Sequence, residues 1–311
     1  MNNSSIETQN PGAQAGLPAS ARSFGESFRT TTATVAAVLA LACALPIDAS
    51  AQQRPLVTED PETVGEGQIL VEAGVDYQRA IEFPVSGLTG NLLRVPLIGA
   101  SIGVGSRAEI QVDGGLVSRL SITERAPAPL AAVLDFTGDS TSSIEDMLVG
   151  AKIRLISEGA SRPGLGVRFA TKLPLASNES GLGLDTTDFF ASLLAAKTVE
   201  SVRIVVNLGL GILGDPTRGD RQNDVLTYGV SFARAATAST EVVGEINGRA
   251  NMSGDGPPPG TESRSMLRVG ARHTRGTVRV DGALLVGITR SDPTIGVTAG
   301  LTYVFNAFQV P

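Results

Sequence analysis

The chain has 311 residues, a net charge of −6, one His and one Cys, which excludes nearly every zinc, haem or iron–sulfur centre and starves His-dependent nucleophilic catalysis. With an acidic balance and no Lys/Arg run, no surface offers itself to nucleic acid. Only 18% of the residues are charged against 42% hydrophobic, with 36 Gly in no Gly-X-Y period, a balance that suits a sheet protein hiding apolar surface somewhere.

In chain order, the first feature is an apolar run from Val35 to Pro46, with Arg22 and Arg29 upstream and Ala49-Ser50-Ala51 after it. Positive, apolar, then small is the order of a cleavable secretory signal peptide. The run is too short for a membrane-spanning helix, which needs about 20 residues. Residues 1–51 are therefore read as a signal peptide with a polar lead-in, 52–66 as an N-terminal periplasmic segment, and 67–307 as the folded body. Cleavage after Ala51 removes Cys43 and leaves no thiol.

From residue 67 onward the recurring pattern is alternation with a period of two. In the first such stretch Ile69, Val71, Ala73, Val75 and Tyr77 share one face, and Glu72 and Asp76 the other. About twelve strands are predicted: 67–78, 91–102, 108–118, 146–156, 164–173, 187–197, 202–213, 224–233, 239–250, 264–273, 277–287 and 294–306. The intervals alternate: long at 79–90, 119–145, 174–186, 214–223 and 251–263, short at 103–107, 157–163, 198–201, 234–238 and 274–276. Alternating long and short connections point to an all-β, antiparallel transmembrane barrel with short periplasmic turns and longer external loops.

In a membrane barrel the apolar face meets lipid and the charged face lines the lumen. The lumenal, pore-lining set is then Glu72, Asp76, Glu109, Asp113, Lys152, Arg154, Arg168, Lys172, Arg203, Glu241, Glu245, Arg249, Arg268, Arg279 and Asp281. So many charges need water or one another. They are also segregated: the first and third strands are acidic, the fourth to seventh basic. The small residues Gly209, Gly211, Gly296 and Gly300 favour a lumen with unfilled, hydrated volume over one packed with ion pairs. In the last strand Thr298, Gly300, Tyr303 and Phe305 form a polar-x-Gly-x-x-aromatic-x-aromatic pattern, like the signal read by the barrel-assembly machinery.

The segment Arg54 to Gly67, the turn Gly103-Val104-Gly105-Ser106-Arg107-Ala108-Glu109, and the stretches Asp146 to Leu155 and Val167 to Pro174 resemble an outer-membrane transporter family linked to the meta-pathway of phenol degradation. The resemblance implies a barrel that passes hydrophobic or aromatic compounds; it supplies no binding residues. His273, the only His, falls beside a short turn, and no catalytic group, cofactor or metal is expected. The expectation is thus a porin-like transporter in the bacterial outer membrane, with membrane lipid, the assembly machinery and an unidentified small solute as partners. The other reading is a closed structural or adhesion barrel whose external loops bind a partner.

Overall fold

The computed structural model describes residues 54–253 and 256–308, so the signal-peptide reading lies outside the described residues. The strands are β1 (Gln68–Phe83), β2 (Leu88–Gly105), β3 (Ala108–Gly115), β4 (Ser118–Arg125), β5 (Ser140–Ser143), β6 (Met147–Ile156) and β7 (Gly164–Leu173). They continue with β8 (Asp188–Val199), β9 (Val202–Gly214), β10 (Gln222–Ala235), β11 (Thr240–Asn251), β12 (Arg264–Arg275), β13 (Val278–Gly287) and β14 (Ile295–Asn306). β3 and β4 are one bent stave, because Leu116 N–H donates to Pro96 O at 3.0 Å and Val95 N–H to Val117 O at 2.8 Å across the break. β5 and β6 form the matching stave, pairing with β4 and β3 in turn. β1 pairs with both β2 and β14, so the sheet closes into an antiparallel barrel of 12 staves.

Period-two alternation sets what each stave shows to each side. Val71, Val75, Ile110, Phe169, Leu193, Leu208, Leu210, Phe232, Val269, Leu284, Val297 and Leu301 are all exposed on the outside. Their neighbours Asp76, Glu109, Lys152, Glu245, Arg279 and Thr302 are buried inside. An apolar belt this continuous has water-soluble polarity turned inside out, the arrangement of a barrel whose solvent is lipid.

The sequence-based strand bounds hold closely from β7 onward and fail at the outer ends of the first staves. The predicted long loop 79–90 is mostly strand, leaving only 84–87 between β1 and β2, and β4 and β5 occupy part of the predicted loop 119–145. Leu88, Leu92 and Leu120 pack together there, flanked by Ile81, Phe83, Ile122, Leu134, Phe136 and Leu182. The alternation is hidden because β1 shifts register between Gln78 and Ile81, where Ala80 takes φ +52°.

The outer loops meet over the mouth. A Cβ at Gly260 (φ +91°) would lie 3.0 Å from Val85 Cγ2, 3.3 Å from Leu184 Cδ1 and 3.3 Å from Pro216 Cγ. These four residues belong to the β1–β2, β7–β8, β9–β10 and β11–β12 connections, which start at positions spread around the barrel. Loops from such separate staves converge only by crossing the opening. Ser86 Oγ donates to Gly181 O at 2.8 Å, binding the β1–β2 loop to the β7–β8 loop, and Arg264 Nη2 at the start of β12 donates to Glu82 O near the end of β1 at 3.0 Å.

Leu120, 0% exposed, is the centre of the outer cluster. Leu120→Ala is expected to cost about 2–5 kcal/mol through lost burial and a residual cavity. The loss should be local: limited proteolysis should cut 126–139 faster while the barrel body stays resistant. An unchanged cutting rate would refute that placement.

Candidate functional site: a lumen occupied by residues 54–66

The segment expected on the periplasmic side runs through the lumen instead. The reason is electrostatic: the basic staves need counter-charges, and this segment carries them. Arg54 lies across β1 and β14, its Nη2 donating to Ala299 O at 2.9 Å and its Nε 3.4 Å from Asp281 Oδ2 on β13. Leu56 packs on Ala233 and Val243. Glu245 on β11 then clamps the backbone, accepting from Val57 N–H at 3.0 Å and Thr58 N–H at 2.8 Å. Asn207 on β9 does the same at the next residue: its Oδ1 accepts from Glu59 N–H at 2.6 Å, and its Nδ2 donates to Glu59 O at 2.7 Å.

The acidic residues that follow meet the basic wall. Glu59 is bridged by Lys152 at 3.3 Å and Arg168 at 3.2 Å, and Gln111 Nε2 donates to it at 3.2 Å. Asp60 takes a two-point contact from Arg203, at 2.5 and 2.7 Å, and Glu62 pairs with Arg154. Val64 N–H donates to Glu109, which also pairs with Lys152 at 3.0 Å, and Val64 packs on Leu70 and Val304. Lys152 is 0% exposed, so these carboxylates are what make its burial tolerable.

Glycines clear the way. A Cβ on Gly300 would come 2.3 Å from Arg54 Nε, and one on its cross-strand partner Gly74 2.4 Å from Arg54 Nη2. A Cβ on Gly229 would meet Thr58 Oγ1 at 2.7 Å, and one on Gly166 would meet Pro61 Cβ at 3.1 Å. The small lumenal residues therefore do not simply leave water-filled volume: Gly300 and its neighbours make room for this segment.

All fifteen residues expected to line the lumen sit on the inward side of their staves, but few stand free. Arg154, Arg168 and Arg203 take partners from the segment and Arg268 pairs with Glu245 at 2.6 Å, so the expectation of hydrated arginines is corrected at these four positions. Lys172 pairs with Asp188 at 2.7 Å, and Glu241 takes Arg272 at 2.7 Å. Asp76 holds Arg94 at 3.3 Å, and Arg279 Nε donates to Thr274 Oγ1 at 3.0 Å. Arg249 reaches the outer loops, donating to Glu262 O at 2.9 Å and Gly260 O at 2.8 Å. Glu72 accepts from the Thr302 hydroxyl at 3.0 Å, and Asp113 lies 3.8 Å from Arg168. Tyr303 and Phe305 stack with ring centroids 5.5 Å apart near the end of β14.

At the short-turn end, Glu158 gathers Arg203 at 2.8 Å, Lys197 at 3.3 Å and the Thr198 N–H at 2.8 Å. Desolvation works against its charge, but these donors outweigh it and pull its carboxyl down to about 2. Beside the segment lies a lumenal cavity of about 390 Å³, lined by Arg54, Pro55, Leu56 and Val57 and, on the wall, by residues such as Glu72, Asp76, Arg94 and Asp113.

No protein-family model matches the chain, and no curated protein matches it significantly. Among solved structures it is similar to an outer membrane channel from Pseudomonas putida F1, with TM-score 0.60 and 13% identity over 79% of this chain and 98% of that one. Weaker likenesses are to the translocator domain of the autotransporter NalP from Neisseria meningitidis (TM-score 0.45, 12% identity, 76% and 88% covered) and the toluene transporter TodX of Pseudomonas putida (0.36, 11%, 78% and 89%). At these identities the likeness is one of fold alone: a closed antiparallel β-barrel of the outer-membrane kind.

Glu59→Gln takes one of two counter-charges from buried Lys152 and the bridging charge from Arg168. Because Lys152 keeps Glu109, the loss should be about 3 kcal/mol, at the low end for breaking a buried pair. Thermal unfolding of the detergent-solubilised protein should show it, with Glu179→Gln, on an exposed loop, within about 0.5 kcal/mol of wild type. Equal melting of the two variants would contradict the hub.

Proposed function

We propose that the protein is an outer-membrane transporter for small compounds, closed in this state by residues 54–66 within the barrel and by loops across its mouth. What carries the reading is a lumenal cavity beside a chain segment held by ion pairs, in a barrel whose outer loops meet across the mouth. A scaffold needs no such space, whereas a transporter needs a place for its solute. On this reading the outward belt contacts membrane lipid, and the aromatic pair Tyr303–Phe305 serves recognition by the assembly machinery. No catalytic step enters the account.

The resemblance in sequence implies hydrophobic or aromatic solutes. Such a solute would meet Arg54, Arg94, Arg168 and Arg268 around the cavity, so a solute carrying charge suits it better. Closure at both ends also fits a structural barrel, and conductance separates the two. In planar bilayers the wild type should show small, intermittent conductance, and a variant lacking residues 54–64 a several-fold larger one. If both variants insert and neither conducts, the barrel is structural.

A further inference from the structure

On the lipid-facing side of the barrel, charged side chains are few and unevenly placed. At the short-turn ends of the strands they are Lys197 on β8, Arg234 on β10 and Arg275 on β12, with no acidic residue outward there among the described residues. All three are cations, and all lie on the β8–β12 side of the barrel. On β13, β14, β1 and β2 the same band is uncharged, with Val280, Tyr303, Val71 and Val104. Lys197 is already answered: its Nζ donates to Gly159 O at 2.7 Å and Ala160 O at 3.1 Å, and Glu158 lies 3.3 Å away. Arg234 and Arg275 are exposed, and neither has an ion pair or a side-chain hydrogen bond among the described residues.

Register gathers these two arginines with two polar side chains on one outer surface. Arg234 stands opposite Val242 on β11, Val242 opposite Ala271 on β12, and Thr240 opposite His273. Period-two alternation turns Arg234, Thr240, His273 and Arg275 to the same side as Val242. Thr240 Oγ1 and His273 Nδ1 are 2.9 Å apart, so hydroxyl and ring occupy the ground between the arginines. At the usual strand spacing and rise the two arginine Cα atoms stand roughly 17 Å apart. Two long side chains with a phosphate between them cover that span. Toward the membrane centre the face turns apolar at once, with Val242, Phe232 and Val269 exposed. The Phe232 ring lies over Gly244, where a Cβ would come 2.6 Å from its Cζ. Cations at such a boundary reach from an apolar slope to the level of the lipid phosphates.

We propose that the outward face of β10–β12 at the short-turn end binds an anionic phospholipid of the periplasmic leaflet. Its phosphate sits between Arg234 and Arg275, beside Thr240 and His273, and an acyl chain runs along Val242 and Phe232. The proposal rests on the reading that the outward belt meets lipid, and not on transport. Charge selects the occupant. A zwitterionic lipid brings an ammonium of its own, which two unpaired arginines repel, whereas an anionic lipid brings only the charge they lack. A second copy meeting this face about a two-fold axis would set arginine against arginine. A free phosphate would leave the apolar slope above the arginines uncovered.

The test is native mass spectrometry of the full, detergent-folded barrel with dioleoyl phosphatidylglycerol and, separately, dioleoyl phosphatidylcholine. The wild type should retain the anionic lipid at several-fold higher occupancy than the zwitterionic one. Arg234→Gln/Arg275→Gln should weaken retention of the anionic lipid by about fivefold or more, without lowering the melting temperature of the lipid-free protein. Arg218→Gln/Arg221→Gln, on the exposed β9–β10 loop, should retain it as the wild type does. Equal occupancy of the two lipids on the wild type, undiminished retention by the β10/β12 variant, or an equal loss in the loop variant each overturns the proposal. Dimers of the wild type that vanish in the β10/β12 variant also overturn it, assigning the face to a second copy. A barrel that conducts in planar bilayers and shows no lipid preference overturns this site alone; one that shows the preference and never conducts overturns the transporter reading alone.

Discussion

A barrel that gives its apolar side chains to lipid has only its lumen left for charge, and every charge placed there must find a partner or water. This constraint organises the protein. Lys152, Arg154, Arg168 and Arg203 face inward from β6, β7 and β9, and turning such cations toward lipid would cost about 2–4 kcal/mol apiece at the bilayer midplane. Their counter-charges come from Glu59, Asp60 and Glu62, with Glu109 contributing on the wall. The segment is therefore as much a part of the folded barrel as any stave. Its peptide groups are satisfied by Glu245 and Asn207, side chains that stand in for a missing neighbouring strand.

The barrel itself was legible from residue types because lipid and lumen impose strict alternation, as in β14, where Val297, Ala299, Leu301, Tyr303 and Phe305 share one face. The extended outer ends of β1 and β2 were not, since a register shift at Ala80 and a local apolar cluster break the period there. The inward direction of the charged set was equally readable. Its pairing was not: the segregation of basic and acidic staves was visible, but the acids that answer the basic side lie in 59–62, a stretch with no alternation to place it. Glycines were misread for a related reason. A Gly looks the same in sequence whether it leaves a void or yields to another chain, and only the position of Arg54 tells which holds at Gly74 and Gly300.

The two closures differ in what would open them. The loops are tied by the Ser86–Gly181 hydrogen bond and by small apolar contacts around Val85 and Gly260. The inner segment is tied by buried ion pairs, which lose strongly when one partner is removed and little while both stay. Movement of the outer loops is thus the cheaper event, and a solute arriving from outside would reach the cavity before meeting the segment.

The seat of the segment is the claim on which the rest depends, and a disulfide tests it most directly. Thr58 Cβ lies 3.4 Å from the place a Cβ would take at Gly229, close to the ~3.5–4.5 Å spanned by disulfides. In a Cys43→Ser background, Thr58→Cys/Gly229→Cys should oxidise within one chain in the membrane, shift gel mobility reversibly with reductant, and hold conductance at its lowest level until reduced. Free thiols at both positions under oxidising conditions, in a correctly inserted barrel, would place the segment elsewhere.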